Sequence, residues 1–122
     1  MARHNELGAV GEDIAAEYLV GKGYAVIERN FRRPYGEIDI VARETSGLLV
    51  FVEVKSVSYE TRYRPEENMH PQKLRRLGNI IMSYRASKRH EGEWRLDLVT
   101  VYVDMGTKAA KVNHIKNVVI GT

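Results

Sequence analysis

Three charged side chains interrupt apolar segments of this sequence, and they are the residues best placed to carry out chemistry. Glu53 and Lys55 stand two positions apart in the apolar run 48–57, and Asp39 stands between two isoleucines. Side chains alternate along a β-strand, so Glu53 and Lys55 should share one face. Charges in a buried strand are costly unless they are paired or bind a metal. The pattern therefore predicts either a buried ion pair with one extra acid or a metal site.

The placement of the two acids favours the metal site. If the segments that hold Asp39 and Glu53 are antiparallel neighbours, their carboxylates lie side by side and repel each other. A divalent cation removes that repulsion, and oxygen ligands suit Mg²⁺ or Mn²⁺. Such an ion polarises a phosphodiester oxygen and lowers the pKa of a bound water, while Lys55 can orient that water or stabilise the developing negative charge. The residues thus favour metal-dependent hydrolysis of a phosphodiester.

A third acid, Glu12, is expected on the first helix. The segment 4–21 has a helical apolar stripe formed by Leu7, Val10, Ile14 and Tyr18. At about 100° per residue, Glu12 lies on the flank of that stripe, next to Gly8 and Ala15. These small neighbours would let the helix approach the sheet and would point Glu12 inward as a further metal ligand. The alternative is an ordinary exposed acid.

Basic side chains in the second half of the chain are candidate contacts for nucleic acid. Residues 1–54 hold 6 Lys/Arg against 9 Asp/Glu, whereas residues 55–122 hold 13 against 7. Basic surfaces attract phosphates. Lys73 and Arg76 are either phosphate contacts or part of a solvated helical face. Arg62 and Arg64, with Tyr59 and Tyr63, lie in a polar loop that could grip or wedge nucleic acid, or could be an ordinary surface loop.

Periodicity predicts a mixed sheet flanked by helices, in the order α-βββ-α-β(β). The predicted elements are a helix over 4–21, strands over 24–31, 37–43 and 48–57, a helix that begins at Pro71, a strand over 94–103 and a weaker strand over 111–120. Short turns make the first three strands antiparallel, and the crossover through the second helix makes the fourth strand parallel to the third. On the fourth strand, Arg95 and Asp97 share a face and predict a structural salt bridge.

Length and composition bound the remaining possibilities. A chain of 122 residues fits one domain, residues 1–122. The absence of cysteine excludes disulfides, thiolate zinc sites and cysteine nucleophiles, and the four histidines lack ligand spacing. No apolar run approaches the roughly 20 residues that cross a bilayer, and the N-terminus lacks a signal-peptide core. We therefore expect a soluble, cytoplasmic protein without a membrane partner.

The spacing of the charged residues also resembles a known signature. Asp39 followed by Glu53-Val54-Lys55 resembles the Asp…(Asp/Glu)-x-Lys motif of restriction-endonuclease-like nucleases. More narrowly, nearly the whole chain resembles the uncharacterised YraN-like bacterial family, which is similar to archaeal Holliday junction resolvases. The matching motifs are Gly11-Glu12, Tyr18-Leu19, Gly23-Tyr24, Asn30, Gly36-Glu37-Ile38-Asp39, Phe51-Val52-Glu53-Val54-Lys55, Lys73, Arg76-Leu77 and Arg95-Leu96-Asp97. Ser56-Val57 departs from the Thr-Arg or similar basic pair expected after Lys55.

This resemblance implies an α/β restriction-endonuclease-like fold with Mg²⁺- or Mn²⁺-dependent cleavage of branched or otherwise distorted DNA. By the same resemblance, Asp39 and Glu53 bind metal, Lys55 serves catalysis and Glu12 is the helix-borne acid. A homodimer is expected by analogy with resolvases that act on two-fold substrates. Two other functions stay open: a non-catalytic nucleic-acid-binding module that retains a residual site, and a structural or protein-interaction domain.

Overall fold

A computed structural model describes residues 2–58 and 70–118, and in these ranges the chain forms two helices and five strands. The elements are α1 Ala2–Gly21, β1 Ala25–Arg33, β2 Gly36–Arg43, β3 Leu49–Ser58, α2 Pro71–Ser87, β4 Trp94–Val103 and β5 Ala110–Ile115. This order confirms the predicted α/β class and the sequence α-βββ-α-ββ. Neither helix in the described ranges combines the length and the apolar character that a membrane crossing requires.

The five strands form one mixed sheet in the order β1-β2-β3-β4-β5. The β3–β4 pair is parallel and the other pairs are antiparallel, as the crossover through α2 predicts. β4 accompanies β3 along its whole length, from Leu49 to Ser58. The β2–β3 ladder, in contrast, runs from Arg43 opposite Leu49 only to Ile40 opposite Val52 within these described strands. The two strands therefore part at one end of the sheet.

Each face of the sheet packs against one helix. Val50 and Val52 of β3 lie in a core with Ala15 and Leu19 of α1. The alternate residue Phe51 packs on the other side, against the buried face of α2. That face consists of Leu77, Ile80, Ile81 and Tyr84. Because β3 is covered on both sides, its apolar run has no polar face, as is usual for a central strand.

The buried line of α1 differs from the predicted stripe. Gly11, Ala15 and Leu19 are the buried positions, whereas Leu7, Val10, Ile14 and Tyr18 pack partly buried on either side of them. Gly11 allows the closest approach, because a Cβ there would lie 2.6 Å from the Cβ of Ser56 on β3. Gly8, predicted to permit this approach, has no neighbour within 4 Å of an added Cβ. Residues with small side chains make the closest contact between α1 and the sheet. The stripe predicted from the large apolar residues is therefore displaced by one position.

Several predicted boundaries also shift. β1 extends to Arg33 rather than ending at residue 31, and β3 continues to Ser58, one residue beyond the predicted end at residue 57. β5 ends at Ile115, whereas the strand was predicted to extend to residue 120. Residues 116–118 are not part of a strand, so the prediction is wrong for them. There Asn117 takes a left-handed φ of 57° and its N–H donates to Asp97, while Val118 N–H donates to the Leu96 carbonyl. These bonds hold the chain beside β4 but outside the regular ladder.

Candidate functional site

Asp39 and Glu53 lie where β2 and β3 part. They are the next residues after the last pair of the ladder, and both line a cavity of about 550 Å³ on the α2 side of the sheet. The Oδ2 of Asp39 accepts a hydrogen bond from the backbone N–H of Val54 at 2.7 Å. The carboxylate thereby satisfies a donor that the neighbouring strand no longer reaches. Asp39 is thus fixed beside Glu53, as the antiparallel arrangement predicted.

The strand around Asp39 is irregular. Residues two apart on a regular strand face the same way, yet Ile38 belongs to the α2-side core and Ile40 to the α1-side core. Opposite Asp39 on β1, Asn30 has a left-handed φ of 56°. Asparagine tolerates that conformation better than most residues. The local twist lets Asp39 line a second cavity, of about 600 Å³, on the α1 side.

Burial and like charge dominate the electrostatics of the two acids. Glu53 is only 7% exposed. Burial, followed by the negative charge of Glu53, raises the pKa of Asp39 to about 8, against the opposing effect of the Val54 hydrogen bond. Two carboxylates in so confined a place are unfavourable without a cation. The two carboxyl groups can therefore serve as oxygen ligands, and a nearby positive charge stabilises their ionised forms.

Two lysines supply positive charge at Glu53. Lys73 Nζ lies 2.8 Å and Lys55 Nζ 3.4 Å from the same Glu53 oxygen. Burial, followed by the proximity of Lys73, lowers the pKa of Lys55. For Lys73 burial acts downward, but the contact with Glu53 prevails and raises its pKa. Lys73, singled out in the sequence as a phosphate contact, is thus placed in the centre itself.

The remaining basic candidates divide into two groups. Arg76 lines the same cavity as Glu53, Lys55 and Lys73, one helical turn along α2. Arg62 and Arg64, together with Tyr59 and Tyr63, lie outside the described residues.

Glu12 faces the site from the α1 side. It lines the second cavity together with Asp39 and Lys55, which border both cavities. Its Oε1 accepts hydrogen bonds from Arg29 Nε at 2.9 Å and Asn30 Nδ2 at 3.0 Å. Glu12 is therefore tied to β1 rather than aimed at Glu53. Accordingly, the described part of the chain contains no group of three or more Asp, Glu, His or Cys side chains arranged to hold a metal.

Two features of the site escaped the sequence analysis. The contact of Lys73 with Glu53 depends on how α2 docks, which no local pattern encodes. Asn30 was noted only as a motif residue, but its left-handed backbone could have been anticipated, because an asparagine inside a strand pattern signals a left-handed residue or an irregularity. Through its φ and its hydrogen bond to Glu12, Asn30 shapes the α1 side of the site.

A separate polar network joins α1, β4 and β5. Asp97 is fully buried and receives Arg95 Nε at 2.8 Å, which confirms the predicted salt bridge. His114 Nε2 lies 2.7 Å from the other Asp97 oxygen, and its Nδ1 lies 3.3 Å from the Tyr18 hydroxyl. Arg95 also contacts Glu44. All of these groups are paired with one another, so the network is a structural tie.

Comparison with known proteins places this geometry in a family. Residues 11–101 match the model of the uncharacterised protein family UPF0102. A UPF0102 protein of Corynebacterium efficiens is 37% identical over 93% of this chain and 91% of its own length. One of Syntrophomonas wolfei is 40% identical over 93% of this chain and 97% of its own. The chain belongs to the UPF0102 family. This result confirms the predicted YraN-like resemblance.

The UPF0102 match includes every described candidate residue of the site. Glu12, Asp39, Glu53, Lys55 and Lys73 all lie within residues 11–101, whereas β5 lies outside them. The family is described as uncharacterised, so membership does not assign a chemistry to the site. That chemistry has to be argued from the geometry. A third relative, from Flavobacterium psychrophilum, is 36% identical over 96% of both chains.

Proposed function

We propose that this UPF0102 protein is a Mg²⁺- or Mn²⁺-dependent nuclease that hydrolyses phosphodiester bonds of DNA. The observation that carries the proposal is the confinement of two carboxylates, Asp39 and Glu53, at the point where β2 and β3 part, with Lys55 beside them. A fold has no structural need for a partly buried Asp39 beside the buried Glu53, because like charges so close together destabilise it. Their retention in one cavity is the arrangement expected of a site that binds a cation.

The donor set fits the proposed ion. Asp39 and Glu53 offer hard oxygen ligands in small number, which suits Mg²⁺ because that ion keeps several waters and takes further oxygens from a substrate phosphate. Glu12 lies across the second cavity, held by Arg29 and Asn30, and would act through a water or after release from those partners. When bound, the ion would supply polarisation of the phosphodiester and a water of lowered pKa.

The chain's own residues divide the remaining work. Asp39 and Glu53 would hold the cation, and the bound ion would supply positive charge for the reacting phosphate. Lys55, half-buried and of lowered pKa, lies at the junction of both cavities, where an ammonium can stabilise developing negative charge. Lys73, paired with Glu53 in this structure, would be released if a cation took that carboxylate, and could then contact a phosphate oxygen. Arg76, on the rim of the same cavity, holds the next phosphate.

One observation favours a second function, a nucleic-acid-binding module without catalysis. Glu53 already has two ammonium partners, so its charge is compensated without a metal ion. In that case Lys73 and Lys55 would be permanent partners of Glu53, and binding would depend on the exposed basic residues alone. Such a protein would bind DNA equally well with and without divalent cations.

Cleavage assays separate these functions. Linear duplex and four-way branched DNA are incubated with the protein in EDTA and then in Mn²⁺, with products resolved on denaturing gels. We expect nicked products only in Mn²⁺, and their loss in Asp39→Asn, Glu53→Gln and Lys55→Met. Glu17→Gln removes an exposed carboxylate of α1 as the control and should retain cleavage. Binding without cleavage in Mn²⁺ would establish the module instead.

The proposal extends to the localisation and the oligomeric state of the whole protein. We propose that it acts as one domain in the cytoplasm, where DNA is its substrate. The expected homodimer rests on the analogy with two-fold resolvases. Sedimentation of the protein with and without four-way branched DNA tests that state directly.

A further inference from the structure

The α2-side cavity has two unlike halves. One half carries the charged groups of the lining, which are three acids and three bases: Glu37, Asp39, Glu53, Lys55, Lys73 and Arg76. The other half is apolar and is lined by Tyr35, Gly36, Leu77 and Ile80. Its volume of about 550 Å³ lies within the range of cavities that take small organic ligands. A phosphate group alone would use the charged half and leave the apolar half without a function.

Tyr35 forms an exposed wall of the apolar half. It lies in the two-residue turn between Arg33 and Gly36, which pair with each other at the ends of β1 and β2. The residue as a whole is 54% exposed, which makes it one of the most exposed large apolar residues in the described ranges. Its hydroxyl donates to Ser83 Oγ of α2 at 2.8 Å. An aromatic ring is thus held in place with much of its surface open to solvent.

Gly36 keeps space next to that ring. A Cβ at this position would lie 3.6 Å from Ile80 Cβ, in ordinary contact, so packing alone does not require glycine there. Any side chain would instead occupy part of the apolar half beside Tyr35. The combination of a fixed ring, an open neighbour and a buried aliphatic floor forms a slot for a flat apolar group.

We infer that this apolar half receives an unstacked nucleobase, so that the substrate carries an unpaired nucleotide beside the phosphate to be cut. The inference rests on the proposed nuclease function and specifies its substrate class. Bases within an intact duplex are stacked and cannot reach an aromatic side chain, whereas an unpaired base stacks on tyrosine irrespective of its sequence. The phosphate of that nucleotide, which is joined to its sugar, then falls in the charged half of the same cavity.

The test uses a fluorescent base and needs no catalysis. One probe is a DNA duplex with a gap in one strand and with 2-aminopurine in the other strand, opposite the gap. The second probe is a fully paired duplex with 2-aminopurine at the same position. Titration with the protein in EDTA should quench the gap fluorescence by stacking and leave the paired probe unchanged. Tyr35→Ala should abolish that quenching and weaken binding to the gapped DNA by about tenfold. Tyr35→Phe keeps the ring but loses the hydrogen bond to Ser83, so it should retain most of the quenching.

Controls exclude trivial causes. Ile27→Ala removes an exposed apolar side chain from β1, outside the cavity, and should change neither quenching nor affinity. Thermal melts of each variant verify folding, which the exposure of Tyr35 should preserve. Equal affinity of the parent and Tyr35→Ala for gapped DNA, or the absence of quenching in the parent, would overturn the inference.

The outcome is separable from that of the proposed function. Quenching that depends on Tyr35, in a protein that never cuts in Mn²⁺, would leave the base site standing and reject the nuclease. Cleavage that depends on Asp39 but is indifferent to Tyr35→Ala on gapped and paired substrates would retain the nuclease and reject the base site.

Discussion

Two lysine ammonium groups contact the same oxygen of Glu53. These contacts determine how the candidate centre should respond to a divalent cation. Lys73 reaches the carboxylate from α2 at 2.8 Å and Lys55 from the same strand at 3.4 Å. A divalent ion and Lys73 would compete for one carboxylate. Removal of the competing charge should therefore increase the affinity for metal.

Lys73→Met preserves most of the length of the side chain and removes its charge. In the absence of DNA, we expect it to tighten Mn²⁺ binding about fivefold, because a partly exposed ion pair worth about 1 kcal/mol is no longer broken. Isothermal titration calorimetry measures the change. Arg75→Met, an exposed neighbour on α2, is the matched control and should leave the affinity unchanged. Unchanged or weaker binding in Lys73→Met would show that the lysine does not compete with the ion.

Asp39→Asn distinguishes a metal site from a structural ion pair. The change is nearly isosteric, and the raised pKa of Asp39 leaves little charge to remove near neutral pH without a metal ion, so stability in EDTA should be unchanged or higher. It should also abolish stabilisation by Mn²⁺, which for the parent is about 2.7 kcal/mol at a hundredfold excess over the dissociation constant. Thermal melts in EDTA and in a Mn²⁺ series give both quantities. A loss of about 3–5 kcal/mol in EDTA would instead mark Asp39 as the partner of a buried cation.

At the scale of residues, the sequence predicts which side chains lie close together when they belong to the same strand or to adjacent strands. The proximity of Asp39 and Glu53 follows from alternation and a short turn, and the structure brings them together at the end of the ladder. The contact of Lys73 joins residues that are distant in sequence, so it could not be read from spacing. Glu12 was placed on the correct helix, but its hydrogen bonds depend on the left-handed backbone of Asn30.

At the scale of elements, the docking of α1 on β3 fixes the α1 side of the site. Gly11 lies directly over Ser56, and both residues are adjacent to proposed site residues, Glu12 and Lys55 respectively. An Ala at position 11 would place its Cβ 2.6 Å from that of Ser56, closer than packed atoms allow. The helix or the strand must then move.

Gly11→Ala should therefore destabilise the protein by about 1–3 kcal/mol, as overpacked cores do. Gly8→Ala is the matched control on the same helix: nothing lies within 4 Å of its added Cβ, so higher helix propensity should stabilise by up to about 1 kcal/mol. Urea unfolding of both variants measures the difference. Ser56→Gly in the Gly11→Ala background should recover part of the loss. Equal behaviour of the two glycines would refute a close contact at Gly11.

The Asp97 network ties β4 to β5 and gives a pH dependence of known sign. Burial acts to raise the pKa of Asp97, but hydrogen bonds from His114, Arg95 and the Asn117 N–H prevail and lower it. A carboxyl whose pKa is lowered on folding stabilises the native state above its unfolded pKa of about 4. That contribution is lost as the pH falls through the lower pKa of the folded state.

Asp97→Asn should accordingly cost on the order of 3 kcal/mol at pH 7, since Arg95 loses a buried partner. The difference from the parent should shrink steadily below about pH 4, as the parent's own Asp97 becomes protonated. Urea unfolding at a series of pH values from 7 to 2.5 provides the comparison. A constant difference across that range would assign the loss to packing rather than to the ionised carboxyl.

At the scale of the whole molecule, the topology was predictable because each connection left few choices. Short turns enforce antiparallel β1, β2 and β3, and one helical crossover enforces a parallel β4. Element ends were less predictable: the end of β5 depends on hydrogen bonds from Asn117 and Val118 to β4, which are tertiary contacts. The same limit applies to α1, whose buried line was set by close packing at Gly11 rather than by apolar bulk.

The distribution of charge over the whole chain predicts how DNA affinity depends on salt. The basic excess lies in residues 55–122, and within it Arg76 borders the cavity while its neighbour Arg75 does not. If Arg76 contacts a phosphate, binding releases one counterion at that position. Arg75, exposed on the same helix, carries the same charge into solvent and provides an unusually close comparison.

Arg76→Ala should weaken binding to every duplex sequence alike and reduce the slope of log affinity against log salt by about 0.9. Arg75→Ala should leave that slope within error of the parent, because a solvated charge away from the DNA releases no counterion. Fluorescence anisotropy with a labelled duplex in EDTA, at salt concentrations from 50 to 200 mM, measures the slopes without interference from cleavage. If the two variants lose slope equally, then DNA responds to the general charge of α2, and the cavity does not direct the phosphate.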